Sequence, residues 1–140
     1  MNILLAVDGS KYTNKMLAYL TTHDEIFSAN NTYTVLTVQP ALPPRARAAV
    51  GKDVVNTYYA DETDKVLAPV AKFLVRHEIH AKSEWKVGPA GETIAKFADE
   101  GKFDLLVMGS HGNGALGNLV MGSVATKVLA QCTVPVLMVR

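Results

Sequence analysis

The sequence has few of the residues that mark secreted, membrane-bound or nucleic-acid-binding proteins. Its 140 residues include one cysteine, Cys132, which excludes an internal disulfide and a cysteine-based metal cluster. No run of about 18 apolar residues occurs, so no membrane-spanning helix is expected. With 14 basic and 13 acidic residues the net charge is +1, which gives no electrostatic footprint for DNA or an anionic membrane surface.

No targeting signal is expected at the start of the chain. The apolar stretch that follows Met1 stops at Asp8 and has no basic residue before it, so it is too short for a signal peptide. We therefore expect a cytoplasmic protein that contacts no membrane and no nucleic acid. The length, with 49% hydrophobic and 19% charged residues, predicts a single globular domain over residues 1–140.

The order of the apolar segments predicts an α/β fold. Four short, nearly continuous apolar runs are typical of strands buried on both faces of a sheet, and a fifth run alternates more. The predicted strands are Ile3–Val7, Thr34–Val38, Lys82–Val87 (the alternating one), Leu105–Met108 and Val134–Val139. Helical patterns lie between them, the first with a candidate N-cap at Ser10. This alternation predicts an open, doubly wound parallel sheet, on which ligands bind at the carboxyl ends of the strands.

Prolines mark two places where the regular pattern should be interrupted. Pro69 lies inside the helical pattern of Asp61–Glu78, where we expect a kink or a break. The segment Gln39–Val50 contains three prolines, two arginines and no acidic residue, which predicts a long mobile loop with a small positive patch. Its Arg45 and Arg47 are candidates for a lid over an anionic ligand. The alternative is a solvated surface loop.

The segment Met108–Ser123 is the most informative part of the chain. Five of the ten glycines lie between Gly109 and Gly122. Glycine lets backbone N–H groups approach and surround an anion without a Cβ atom in the way. Ser123 then opens a helix, and the first N–H groups of a helix are unpaired and favour negative charge. This combination predicts a phosphate site, whereas the alternative is a flexible connection that uses glycine for its turns.

Three familiar phosphate and nucleophile motifs fail on this segment. The dinucleotide fingerprint matches Gly112–Gly117 literally, but it needs an acidic residue about 20 positions later, and Leu105–Arg140 contains none. The P-loop motif lacks its lysine at Gly117–Ser123. The nucleophile elbow fails because Met108 stands where a glycine must precede Ser110. A dehydrogenase and a P-loop NTPase are therefore disfavoured.

A family signature fits better. The spacing Gly109-x2-Gly112-x9-Gly122-Ser123 resembles the nucleotide-binding signature of the universal stress protein family. The resemblance covers nearly the whole chain, through Ile3–Ser10, Val87–Ile94, Asp104–His111, Gly122–Leu129 and Cys132–Leu137. It implies an adenine nucleotide alpha hydrolase-like, Rossmann-like fold, with five parallel strands in the order 3-2-1-4-5.

The resemblance also implies a set of nucleotide-binding residues and ATP as the ligand. Asp8 would face the ribose and adenine, and the main chain of Val38 would pair with the adenine edge. Backbone N–H groups of the glycine loop and of the following helix start would hold the phosphates, with the Ser123 hydroxyl donating. These positions are Met108, Gly109, Gly112, Gly122, Ser123 and Val124.

One position departs from the family pattern. Many ATP-binding members carry a basic residue directly after the second glycine of the signature, where this chain has Asn113. No Lys or Arg lies between Phe103 and Thr126. A triphosphate would then be neutralised by backbone N–H groups, by Mg²⁺, or by arginines of the proline-rich segment.

The implied function is a nucleotide-responsive regulator in the stress response, acting on an unidentified protein partner. The alternative is a dimeric interaction module of the same family that binds no nucleotide. We assign no catalytic residue, because Asp8 and His111 have no evident partners, and leave at most a slow ATPase open. His77 and His80 lack the further ligands that a metal site needs. The apolar Val134–Val139 predicts a homodimer formed through the last strand.

Overall fold

Five parallel strands form one sheet in the computed structural model, which describes residues 1–113 and 120–140. The strands are β1 (Asn2–Ala6), β2 (Thr32–Gln39), β3 (Ala81–Val87), β4 (Leu105–Gly109) and β5 (Val136–Val139). Their order is β3-β2-β1-β4-β5, and each neighbouring pair is parallel. The α/β class, the five strands and the strand order are therefore confirmed.

Helices cover both faces of this sheet. They are α1 (Lys11–Thr22), α2 (Pro44–Val50), α3 (Lys52–Arg76), α4 (Ala90–Glu100) and α5 (Ser123–Gln131). Helices α1 and α3 pack on one face, whereas α4 and α5 pack on the other. The predicted N-cap of α1 is confirmed, because Ser10 Oγ accepts a hydrogen bond from the backbone N–H of Tyr12 at 3.3 Å. None of the helices in the described ranges is both long and apolar enough to cross a membrane.

Strand β1 lies at the centre and is buried on both faces, as predicted. Ile3 and Leu5 pack toward α1 and α3, while Leu4 and Ala6 pack toward α4 and α5. The same prediction was wrong for the last strand, since Val136–Met138 stay partly exposed. The reason is position, because β5 is the outermost strand beside β4 and, within the described residues, no further strand pairs with its outer edge.

The expected interruption at Pro69 does not break the helix. Helix α3 runs without a break through Pro69 and begins at Lys52, well before the predicted start. Proline removes the hydrogen bond to the carbonyl four residues earlier. Pro69 and Lys65 are both exposed, so water can satisfy that carbonyl. Buried Thr63 and Val70 lie on either side of the proline and keep both halves of the helix packed.

The prediction of a loop over the whole of Gln39–Val50 was also wrong. Its second half, Pro44–Val50, forms helix α2. Proline is well suited to the first turn of a helix, where its missing N–H has no intrahelical partner, and the three alanines that follow favour helix. None of the residues of α2 is buried.

Candidate functional site

A cavity of about 500 Å³ opens at the carboxyl-terminal ends of β1, β2 and β4. The chain passes from β1 to β2 on one side and reaches β4 on the other, so the strand order reverses here. Ligands of doubly wound sheets bind at this kind of switch point. The first residues of α4 and α5 line the same cavity. The fold therefore forms a cavity where the sequence predicts a ligand site.

The residues assigned to nucleotide binding from the sequence come together in this cavity. The eight that line it are Asp8, Val38, Met108, Gly109, Gly112, Gly122, Ser123 and Val124. The candidate lid residues are absent from its described lining. Arg45 and Arg47 lie on α2, and Arg47 lines a separate shallow cavity of about 480 Å³ against α3.

Asp8 is held in a tight turn at the end of β1. Its Oδ1 accepts hydrogen bonds from the backbone N–H of Ser10 at 2.9 Å and from Thr13 Oγ1 at 3.0 Å. The backbone N–H of Asp8 donates to Thr13 Oγ1 at 3.1 Å. Gly9 has a φ of 79°, in the left-handed region that side chains other than glycine rarely adopt. This turn fixes the direction of the Asp8 carboxylate.

The glycines of the loop after β4 are needed for close packing within the protein itself. A Cβ atom on Gly112 would lie 2.5 Å from Asp8 Oδ2, and one on Gly109 would lie 2.6 Å from Tyr12 Cβ. A Cβ atom on Gly122 would lie 3.1 Å from His111 Cα. The sequence interpretation assigned these glycines to the approach of a phosphate. The structure adds a second reason, since side chains here would push the loop away from β1 and α1.

Asn113 has a structural partner that the sequence did not reveal. Its side-chain Nδ2 donates to the backbone carbonyl of Asp8 at 3.1 Å, which ties the glycine loop to the end of β1. The position that carries a basic residue in many ATP-binding members thus carries a neutral tether here. The structure does not describe residues 114–119, so the literal dinucleotide match at residues 112–117 lies outside the described residues from 114 onward.

Ser110 and His111 anchor the other side of the loop. Ser110 is fully buried, and its Oγ lies 2.8 Å from His111 Nδ1. The backbone N–H of Ser110 donates to the carbonyl of Val139 in β5 at 2.8 Å. The His111 ring lies 4.9 Å from the Tyr12 ring, centroid to centroid. His111 therefore takes part in the loop's own hydrogen bonding, a partner that the sequence did not reveal.

Helix α5 begins at the cavity wall with an uncapped end. Gly122 is the N-cap residue and supplies no side chain, and its backbone N–H donates to the carbonyl of Ser110 at 2.8 Å. The first N–H groups of a helix have no intrahelical acceptors, and the helix dipole adds partial positive charge there. Ser123 and Val124 lie at this end and line the cavity. The arrangement suits an anionic group.

The rest of the cavity is mainly apolar. Ala90, Ile94 and Met108 line it beside Val38, so a flat apolar group has a surface to contact. Asp8 is the one carboxylate among the described lining residues, and none of them is Lys or Arg. The part of the chain that the structure describes contains no group of three or more His, Cys, Asp or Glu residues able to hold a metal ion.

The comparison with protein families decides what kind of protein has this cleft. A sequence model of the Universal stress protein family matches residues 1–140. The chain belongs to this family. The resemblance drawn from the glycine signature and the flanking segments is thereby confirmed.

Two curated universal stress proteins illustrate the relationship. Slr1230 of Synechocystis sp. is 35% identical over 74 residues, which cover 53% of this chain and 26% of that protein. MJ0531 of Methanocaldococcus jannaschii is 30% identical over 88 residues, which cover 63% of this chain and 52% of that protein. The match thus spans only about a quarter and about half of the length of these two relatives.

Solved structures share the fold over the full chain. The hypothetical protein MJ0577 of Methanocaldococcus jannaschii has a TM-score of 0.79 at 24% identity, covering 99% of this chain and 94% of that one. A universal stress protein in complex with cAMP has a TM-score of 0.68 at 24% identity, covering 100% and 97%. One from Archaeoglobus fulgidus in complex with dAMP has a TM-score of 0.67 at 22% identity, covering 100% and 98%.

Proposed function

We propose that this universal stress protein binds an adenine nucleotide, ATP, and acts as a nucleotide-responsive regulator in the stress response. The observation that carries the proposal is the cavity at the switch point of the sheet, because all eight residues named from the family resemblance line it. The solved family members in complex with cAMP and dAMP support the class of ligand.

The two ends of the cavity match the two ends of a nucleotide. The adenine ring lies on the apolar side, near Val38. The carbonyl of Leu36 faces β1 and the carbonyl of Gln39 faces β3. Main-chain groups alternate in direction along a strand, so those of Val38 point to the same side as those of Leu36. On that side β1 has already ended, which leaves the main chain of Val38 without a strand partner there. Those main-chain groups can pair with the adenine edge. The phosphates lie at the glycine loop and the start of α5, where Ser123 donates its hydroxyl.

A magnesium ion would depend mainly on the nucleotide for its ligands. Mg²⁺ is commonly bound by one or two carboxylates together with substrate phosphates. Asp8 is the one carboxylate in the described lining, so phosphate oxygens would supply most of the ion's ligands.

A dimeric interaction module that binds no nucleotide is the second candidate. The described lining of the cavity carries no Lys or Arg, and β5 presents an apolar open edge. In both candidates we propose a homodimer formed through Val134–Val139 and an output that is contact with a protein partner. We also propose that residues 1–140 form one domain and that the protein acts in the cytoplasm.

Native mass spectrometry of freshly purified protein tests the nucleotide proposal. The complex is then denatured, the released small molecules are analysed, and calorimetry with Mg-ATP, AMP and GTP follows. We expect an adenine nucleotide at one per cavity, and stronger binding of ATP than of GTP, because the main chain of Val38 reads the base edge. A protein that is empty and does not respond to Mg-ATP or AMP contradicts the proposal and favours the interaction module.

A further inference from the structure

The short helix α2 is attached to the protein by very little. None of its residues is buried, and its main packing partner is the start of α3. One hydrogen bond fastens the connection that leads into it, in which the backbone N–H of Leu42 donates to Tyr59 Oη at 2.8 Å. Moving α2 therefore removes no residue from the core of the sheet.

The joint between α2 and α3 is a glycine with an unusual backbone conformation. Gly51 has φ 86° and ψ 164°, a combination that is essentially restricted to glycine. A Cβ atom placed on Gly51 would meet nothing within 4 Å. The joint is thus free of surrounding side chains, and glycine allows a change of backbone angle there at low cost.

The charges of α2 and of the cavity are complementary once a polyphosphate is bound. Arg45 and Arg47 are exposed, and no acidic residue occurs from Gln39 to Lys52. The described lining of the cavity contains no Lys or Arg and does contain the Asp8 carboxylate. A single phosphate can be bound by the glycine loop and the start of α5. Each additional phosphate adds negative charge for which this described lining supplies no Lys or Arg.

The connection to β2 keeps these arginines near the cavity. Val38 lines the cavity, and α2 begins at Pro44. The four residues between β2 and α2 span at most about 14 Å when extended. Helix α2 has seven residues, so it is roughly 10 Å long. Arg45 and Arg47 are therefore confined to the carboxyl-terminal side of the sheet, where the cavity opens.

We propose that Arg45 and Arg47 distinguish nucleotides by the length of their phosphate chain. Helix α2 pivots at Gly51 and brings the two guanidinium groups onto the β- and γ-phosphates of a bound nucleoside triphosphate, whereas a monophosphate leaves α2 in the position seen here. This inference rests on the proposed binding of an adenine nucleotide. The movement of α2 would then change the surface of the protein according to which nucleotide is bound.

The test compares ATP with AMP in a double variant and a matched control. Arg45→Gln/Arg47→Gln removes both charges from α2. Lys72→Gln/Arg76→Gln removes two charges from exposed positions at the far end of α3, next to the amino-terminal edge of the sheet. Binding of ATP and AMP to each protein and to wild type is measured by calorimetry without and with Mg²⁺.

We expect the α2 variant to lose about tenfold to a hundredfold in ATP affinity, because losing a hydrogen bond to a charged group weakens binding by about that factor. AMP affinity should stay within about twofold, since charges this far from a single phosphate are screened by solvent and salt. The control should match wild type with both nucleotides. Equal ATP-to-AMP ratios in wild type and in the α2 variant overturn the inference but leave nucleotide binding intact. If wild type binds neither nucleotide, the proposed function fails and the inference fails with it.

Trypsin gives a second readout that does not depend on a substitution. Cleavage after Arg45 and Arg47 in the wild-type protein is followed by mass spectrometry, without nucleotide and with saturating AMP or ATP. Docking of α2 predicts slower cleavage at both sites with ATP than with AMP. Identical cleavage rates in the presence of the two nucleotides contradict the docking of α2.

Discussion

Thr13 holds the main chain and the carboxylate of Asp8 at the same time. Its Oγ1 accepts a hydrogen bond from the backbone N–H of Asp8 at 3.1 Å and donates to Asp8 Oδ1 at 3.0 Å. Thr13 is 3% exposed, so these are the partners that the buried hydroxyl has in place of water. Because Asp8 stands at the cavity and packs against Gly112, the direction of its carboxylate depends on this hydroxyl.

Replacing Thr13 by valine should therefore affect both stability and the site. The substitution keeps the shape of the side chain but leaves the Asp8 N–H without its acceptor. Losing this part-buried hydrogen bond costs about 1–3 kcal/mol. We expect the free energy of unfolding in urea to fall by that amount and the affinity for an adenine nucleotide to fall with it. Thr13→Ser, which retains the hydroxyl, should restore binding. If Thr13→Val binds nucleotide like wild type, the hydroxyl does not position Asp8.

Gly122→Val tests the start of α5 as part of the site. A Cβ atom at Gly122 would lie 3.1 Å from His111 Cα and 3.2 Å from the Ser110 carbonyl, which are backbone atoms that cannot rotate away. Over-packing of this kind costs about 1–3 kcal/mol and displaces the loop. We expect nucleotide binding, measured by calorimetry, to be lost in a variant that circular dichroism shows to be folded.

The control for Gly122→Val lies on the same helix. Ala130→Val adds the same branched side chain at an exposed position of α5 that does not line the cavity. It should bind nucleotide like wild type. A folded Gly122→Val protein with unchanged affinity would remove this helix end from the binding site.

The central part of the fold could be predicted because its sequence signals are local. Strands β1 and β4 are short apolar runs whose successive side chains pack into opposite cores, so the sequence itself indicates burial on both faces. Helix α2 was missed because a cluster of prolines indicates a loop, although Pro44 is compatible with the first turn of a helix. The break expected at Pro69 did not occur because burial on both sides of it outweighs one lost hydrogen bond.

The candidate site was predictable as far as its motif reaches. The signature named residues whose backbones form the loop and the start of α5, and these line one cavity. The hydrogen bonds that Thr13 and Asn113 make to Asp8 were not predicted, because they are set by the turn at Asp8 and by contacts between segments far apart in sequence. The order of Asp8, the N-cap Ser10 and Thr13 at the start of α1 is the one local signal that could have indicated Thr13.

Asp99 should make part of the stability depend on acid pH. It joins the end of α4 to the turn before β5, accepting hydrogen bonds from the Thr133 backbone N–H at 3.0 Å and from Thr133 Oγ1 at 2.9 Å. The bond from the Thr133 backbone N–H is the main reason that the pKa of Asp99 lies below its ordinary value of 3.8. The unfolded chain therefore takes up this proton at a higher pH than the folded protein does.

The sign of the effect follows from that difference in pKa. The stabilisation by Asp99 is fully present above the ordinary pKa of 3.8 and is lost as the pH falls through the lowered value in the folded protein. Asp99→Asn should be less stable than wild type at neutral pH. As the pH falls below 3.8, its free energy of unfolding should decrease less than that of wild type. Urea unfolding across this range measures both, with Asp64→Asn at an exposed site of α3 as the charge control. Parallel curves for wild type and Asp99→Asn would contradict the role of this carboxylate.

The two edges of the sheet differ in how open they are to pairing. Strand β3 carries Lys82, Glu84 and Lys86 along one face, and charged side chains on an edge strand oppose association with another chain. Strand β5 carries no charged residue. Leu106 and Ser110 donate to the carbonyls of Pro135 and Val139, so alternate residues of β5 face β4. The main-chain groups of the intervening residues Val136 and Met138 point to the open edge.

Met138→Pro uses this alternation to test the proposed homodimer. Met138 immediately precedes Val139, which faces β4, so the main chain of Met138 faces the open edge. Proline at this position removes an outward N–H donor and leaves the hydrogen bonds to β4 in place. Multi-angle light scattering at micromolar concentration should give twice the chain mass of 15.1 kDa for wild type and 15.1 kDa for Met138→Pro. Met138→Leu keeps the N–H and nearly the same volume, so it should remain a dimer. A wild-type monomer refutes the dimer, and a Met138→Pro dimer moves its interface away from β5. Because the carbonyl of Val139 also accepts the hydrogen bond from the Ser110 N–H, a dimer through β5 places its interface one hydrogen bond away from the glycine loop after β4.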